Sequence, residues 1–242
     1  KEIWTIARIV VFKDASQIEA HPEWYLTRKT PKQVGDECFR KRHLRVKPVG
    51  NQLPVTGNQP LWQDKRGGYW LDPASPQAQA YVAEFSKKMI YLGFDELQFD
   101  YIRFPSDGDV ENAVYPKWDK KTPRYQILKN FFTFLHDNLK GYKPEIILSA
   151  DLFGYVAAQR EDLSIGQRLD DIGGAFDYVS FMVYPSHYYN GLYLPADPGR
   201  GLPAVNYTFA QARTNPDAVA ERSLLAARDF LDRKIAASTP LE

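Results

Sequence analysis

Two spacings of apolar residues take turns along this chain. In residues 96–100, polar side chains at Glu96, Gln98 and Asp100 alternate with apolar ones at Leu97 and Phe99. Side chains of a strand point to opposite faces in turn, so a strand here carries three polar groups on one face and two apolar ones on the other. Residues 4–11 (WTIARIVV), 145–152 (EIILSADL) and 177–184 (DYVSFMVY) give three further strands. In the third, Ile147, Ser149 and Asp151 share a face; in the fourth, Ser180, Met182 and Tyr184 do.

Between the strands the spacing becomes helical. Ser75 and Pro76 supply a cap and a first-turn proline. Val82, Phe85, Met89 and Leu92 then recur at helical intervals until Gly93 stops the run. A second helix over 122–140 places Ile127, Leu128, Phe131, Phe132, Leu135 and Leu139 on one side. A short helix is expected around 165–172. A last one is expected over 217–235, with Val219, Leu224, Phe230 and Leu231 as its apolar members. Residues 185–207 read as a loop rich in Gly, Pro and Tyr. Strands alternating with helices predict a parallel α/β sheet. No Gly-rich phosphate loop follows any strand, so a barrel is favoured over a nucleotide-binding doubly wound fold.

Composition narrows the picture further. The 242 residues, with 25% charged and 44% hydrophobic, suit one large α/β domain. A net charge of +1 argues against nucleic acid as a partner. No apolar run is long enough to span a bilayer. Lys1 leads almost directly into the first strand, which suggests that upstream sequence has been removed. Cys38 is the single cysteine and makes no internal disulfide. Residues 28–68 form a polar insertion with a basic cluster at Arg28, Lys29, Lys32, Arg40, Lys41, Arg42, Arg45 and Lys47. It reads as a solvated loop or, alternatively, as a clamp for an anionic polymer.

Asp100 and Asp151 fall near the C-terminal ends of two successive strands, where barrel enzymes keep their chemistry. Two carboxylates facing one site are what glycosidic bond cleavage requires. Asp100 could instead be a structural ion pair, and Asp151 a helix cap. Glu96 lies one layer below Asp100 and supplies like-charge pressure, or pairs with Arg8 or Arg103. Arg103 either holds Asp100 ionised or binds a hydroxyl, unless Asp107 or Glu96 claims it. Tyr184 and His187 could hydrogen-bond a nucleophilic carboxylate or a sugar hydroxyl, unless His187 is an ordinary loop histidine facing away from the site. Trp70 is either a stacking platform or a core residue. Asp107 and Asp109 lack the full ligand pattern of a calcium loop, so neither a metal nor a cofactor is expected.

These residues together resemble a family of bacterial glycoside hydrolases first described as a domain of unknown function. The resemblance is carried by IARIVVFKD at 6–14, WLDP at 70–73, GFDELQFDYIRFPSDG at 93–108, SADLFG at 149–154 and DYVSFMVYPSHY at 177–188. It covers most of the chain. It implies a TIM-type (β/α)8 barrel related to amylase-like and chitinase-like glycosidases, with Asp100 on strand four, Asp151 on strand five and Tyr184 on strand six. The first two and last two βα units would then be missing, so the chain is expected to be a fragment, about strands 3 to 6, or to be completed by a partner. The chain departs from the relatives at three positions. Gln98 stands where amylase-like enzymes carry Arg, Asp151 where they carry a Glu acid, and Ile102 where chitinase-like enzymes carry a catalytic Glu.

The expected function is hydrolysis of a bacterial envelope or extracellular polysaccharide, outside the cytoplasm or at the cell envelope. Asp100 would be nucleophile or base and Asp151 the acid, with Gln98, Arg103, Tyr184, His187, Trp70 and Glu96 around the substrate. The alternatives are a non-catalytic glycan-binding or scaffold module on a degenerate barrel, and a polymer binder acting through the basic insertion.

Overall fold

A computed structural model describes residues 3–29, 55–56, 59–172 and 174–238. Its centre is a four-stranded parallel sheet of β1 (Ile6–Val10), β2 (Glu96–Asp100), β3 (Ile147–Phe153) and β4 (Tyr178–Met182), adjacent in chain order. All four strands expected from the alternation are present, three of them one to two residues shorter at an end. One face carries Ala7, Ile9, Leu97, Phe99, Leu148, Ala150 and Leu152, all buried. These are the apolar members of each alternating run, and helices cover them.

The first helix, α1 (Pro76–Tyr91), starts where Ser75 accepts a hydrogen bond from the Ala78 amide. Ser75 is fully buried, so Ser75→Ala should cost about 1 kcal/mol of unfolding free energy. Chemical denaturation of the two chains would measure it, and an unchanged midpoint would show that the cap carries no weight. The helix ends at Gly93, whose φ of 91° favours glycine. Its buried face is Ala78, Val82, Ala83, Ser86 and Ile90. Phe85 and Leu92, expected inside, are exposed. Small residues let this helix lie close to its neighbours, and the bulky Phe85 is turned outward beside Tyr81.

The second helix, α2 (Arg124–Tyr142), buries all six apolar residues expected of it. It packs against α1, and Phe131 and Phe132 reach Phe12 and Phe176 in the core. After β3 come a short α3 (Gly154–Ala158) and α4 (Leu169–Ile172), the latter shorter than the helix expected over 165–172.

The segment over 185–207 is more than a loop. It contains an antiparallel pair, β5 (Leu192–Leu194) with β6 (Val205–Tyr207), followed by α5 (Phe209–Thr214) and α6 (Pro216–Ser238). A second apolar cluster of Tyr155, Tyr188, Leu192, Val205, Ala212 and Val219 holds this unit together. Of the apolar residues expected to anchor α6, Val219 is buried, Phe230 and Leu231 pack against the main core, and Leu224 is exposed.

Within the basic insertion, Arg28 pairs with Asp109, and the Lys29 ammonium donates to the Glu111 carbonyl. Lys32, Arg40, Lys41, Arg42, Arg45 and Lys47, like Cys38, lie outside the described residues. No described helix is long and apolar enough to cross a membrane.

Candidate active site

The second face of the sheet is polar. Gln98 stands in register with Arg8 on β1 and with Ser149 on β3. Two residues further along each strand, Asp100 and Asp151 therefore sit level on the same face. Asp151 is in turn opposite Ser180 of β4. A cleft of about 280 Å³ opens here, lined by Arg8, Asp100, Asp151, Ser180, Met182 and Tyr184 among others.

Arg8 joins the two carboxylates. Its Nη2 is ion-paired with Asp100 Oδ2, and its Nε lies 4.0 Å from Asp151 Oδ2. The Asp100 and Asp151 side chains are only 7% and 13% exposed, whereas that of Arg8 is 54% exposed. Burial, helped by the nearby Asp100 and Glu96 charges and opposed by Arg8, pushes the Asp151 carboxyl up to about 6. Neighbouring carboxylates in unequal surroundings are the arrangement that separates an acid from a base.

Asp100 ends β2, and Tyr101 follows it in the left-handed region with φ 53°. That turn brings the Tyr101 amide to Asp100 Oδ1 at 2.6 Å. A non-glycine residue held there is strained, and such strain collects at functional positions. Asp151 does not cap α3: Phe153 is its N-cap residue, and there is no side-chain cap bond.

The other expected residues divide between cleft and core. Glu96 accepts from Ser149 Oγ at 2.5 Å and from Trp4 Nε1 at 3.0 Å, so both its oxygens are engaged and neither arginine pairs with it. Gln98 occupies the polar face between Glu96 and Asp100. Tyr184 lines the cleft, half-exposed, and His187 is exposed beside it with ring centroids 5.3 Å apart.

Arg103 and Trp70 belong to the core and do not line the cleft, so Trp70 takes the second of its two expected places and Arg103 does not bind substrate there. Arg103 is buried, donating to the Phe104 carbonyl and to Ser106 Oγ. Its guanidinium lies 5.2–5.4 Å from the Trp70, Tyr101 and Phe153 ring centroids. It braces the wall behind the site, and the pairing expected of it falls to Arg8. Trp70 is 1% exposed and its indole donates to Asp64, so no face is open to a sugar. Asp109 is likewise engaged with Arg28 and Asn112.

The sequence offers Arg8 only as a partner for Glu96; its place between Asp100 and Asp151 is what sequence reasoning misses. Its signal was present, an arginine inside an apolar strand, but only the β1–β2 register brings it to Asp100.

A family model described as "Putative glycosyl hydrolase domain" matches residues 1–241. No curated protein matches the chain. Among solved structures, a hypothetical protein from Ruminiclostridium thermocellum is 26% identical, with a TM-score of 0.43 over 62% of this chain and 58% of that one. A family GH13_31 enzyme is 13% identical, with a TM-score of 0.46 over 92% of this chain and 41% of that one. The glycoside hydrolase domain of PelA from Pseudomonas aeruginosa is 13% identical, with a TM-score of 0.36 over 90% of this chain and 61% of that one. The chain thus spans between about two fifths and three fifths of the length of these relatives.

Proposed function

The chain belongs to the family whose model, described as "Putative glycosyl hydrolase domain", spans it, and from that premise we propose that it hydrolyses glycosidic bonds with Asp151 as proton donor and Asp100 as nucleophile or base. The observation that carries this reading is the carboxylate pair itself, level on adjacent strands and spanned by one arginine. The four strands are read as an arc of a (β/α)8 barrel with their polar face inward. The substrate is read as a polysaccharide, of the bacterial envelope or extracellular.

The chemistry follows from the two environments. Asp151 is raised to about 6 by burial and like charge, so it holds a proton at mildly acid pH and can pass it to the leaving oxygen. Asp100 is ion-paired and also accepts from the Tyr101 amide, so it presents an oriented oxygen either to the sugar carbon or to a water. Tyr184, His187 and Gln98 are left to orient hydroxyls. Glu96 sits below as part of the charge that keeps Asp151 protonated.

The test is turnover of a glycan panel across pH. An acid must be protonated to act, so kcat/KM should fall as pH rises through about 6, the value of Asp151. Asp151→Asn should remove that limb and lower the rate by roughly 10²- to 10⁴-fold. A pH profile flat through this region, or one unchanged in the variant, would reject Asp151 as the acid. Binding of a glycan with no product from any panel member would favour the non-catalytic module instead.

A further inference from the structure

Beyond the carboxylates, the mouth of the cleft continues into a row of aromatic rings. Tyr184 lines the cleft and lies 5.3 Å, centroid to centroid, from His187. His187 is 6.2 Å from Tyr189, and Tyr189 is 5.4 Å from Phe209 at the start of α5. The Arg213 guanidinium stands 5.6 Å from the Phe209 ring and closes the far end. Tyr184 and Tyr189 are 55% and 64% exposed. Apolar side chains exposed singly are ordinary, but a contiguous exposed group of them marks an interaction site or ligand groove.

The row is built rather than incidental. It runs from Tyr184, just past β4, across the short 3-10 turn Pro185–His187 to α5, and the turn packs on α5. Tyr188, between two row members in sequence, points the other way. It is fully buried, with its hydroxyl bonded to Ser223 and to the Gly154 carbonyl. A buried anchor at 188 fixes the outward aim of 187 and 189. Gly191, with φ 81°, then turns the chain into β5 so closely that a Cβ there would meet the Tyr207 carbonyl oxygen.

We propose that Tyr184, His187, Tyr189 and Phe209 form an extended binding surface for successive sugar rings of a polysaccharide, leading away from the cleavage site on the β4 side. The proposal rests on the glycosidase reading and adds where the polysaccharide is held beyond the cleavage site, over several units. Successive rings of the row are tilted by 52°, 67° and 35° to one another, so each offers its own apolar patch to one face of a pyranose ring. Hydroxyls at the sugar rims remain free to meet water, His187 Nε2 and Arg213, while His187 Nδ1 is 3.3 Å from Ser186 Oγ.

The experiment uses the whole protein carrying Asp100→Asn, which keeps substrate uncleaved. Its binding to arrayed cello-, malto- and chito-oligosaccharides, and to soluble acidic polysaccharides, is measured from disaccharides up to long chains. Long chains are expected to bind more tightly than the disaccharide of the same sugar. Adding Tyr189→Ala or Phe209→Ala should weaken long-chain binding about tenfold, the loss when about 55 Å² of apolar face stays in water. Tyr91→Ala, an exposed tyrosine at the opposite end of the sheet, should leave binding as it was. Equal binding of short and long chains overturns the row. So does full long-chain affinity in both aromatic variants. Either result leaves the glycosidase reading standing if the wild-type chain turns over a short glycoside. Binding of no glycan at any length, together with no turnover, overturns both.

Discussion

Replacing Asp100 by Asn should leave the protein folded and reduce turnover by at least about 10³-fold. The two halves of that expectation separate a catalytic group from a structural one. The Asp100–Arg8 pair has one partner more than half exposed, and such pairs contribute roughly 0–1 kcal/mol. Asn keeps the volume and one acceptor for the Tyr101 amide, so unfolding by denaturant should shift little. The reaction, by contrast, loses its charged oxygen. A second readout follows at Asp151. Asp100 is one of the charges that raise it, so in Asp100→Asn the Asp151 carboxyl should titrate below its value of about 6. Carbon-13 NMR of labelled aspartate would follow that titration without any substrate. Unchanged turnover in the variant would remove Asp100 from the mechanism, and an unmoved Asp151 would break the coupling between the two.

The largest effect on stability is expected at Trp70. Its ring is buried against Tyr101 and beneath Arg103, and its indole donates to Asp64. Burial acts to raise the Asp64 carboxyl, but bonds from Lys13, Trp70, Gly68 and Arg66 outweigh it and hold the group below the usual carboxylate range. Trp70→Ala empties the space of the largest side chain and strips a donor from a buried charge. A loss of about 4 kcal/mol is expected, a large share of the stability of an ordinary domain. Equilibrium denaturation would measure it, and a loss under about 1 kcal/mol would show that the wall relaxes. Trp70→Phe should recover the packing part and leave the donor missing.

These two residues also mark how far the sequence could be read. The strands and α2 were legible because each carries a clear period and a single apolar face. Phe131 and Phe132 are buried where the spacing put them. The face of α1 was misjudged because reading by bulk favours Phe85 and Leu92, while close packing selected Ala78, Ala83 and Ser86. The β5–β6 pair went unseen because its strands are short and no two-residue turn joins them. Asp100 and Asp151 stood out from their position at strand ends. Trp70 did not resolve, since a tryptophan that stacks on sugar and one that fills a core look alike until its donor's partner is known. Arg8 needed the register between strands, which neither strand carries alone.

Arg8 and Asp100 lie 92 positions apart in the chain. Closing a loop costs only about 0.6 kcal/mol more for each doubling of its length, but contacts of high sequence separation slow folding. Strands β2, β3 and β4 follow one another with connections about half as long or less, so they are expected to assemble first. At that stage two carboxylates would face each other with no cation between them. Docking of β1 would then complete the sheet and deliver the neutralising guanidinium in one event. The charge balance of the site would thus report whether the fold is finished.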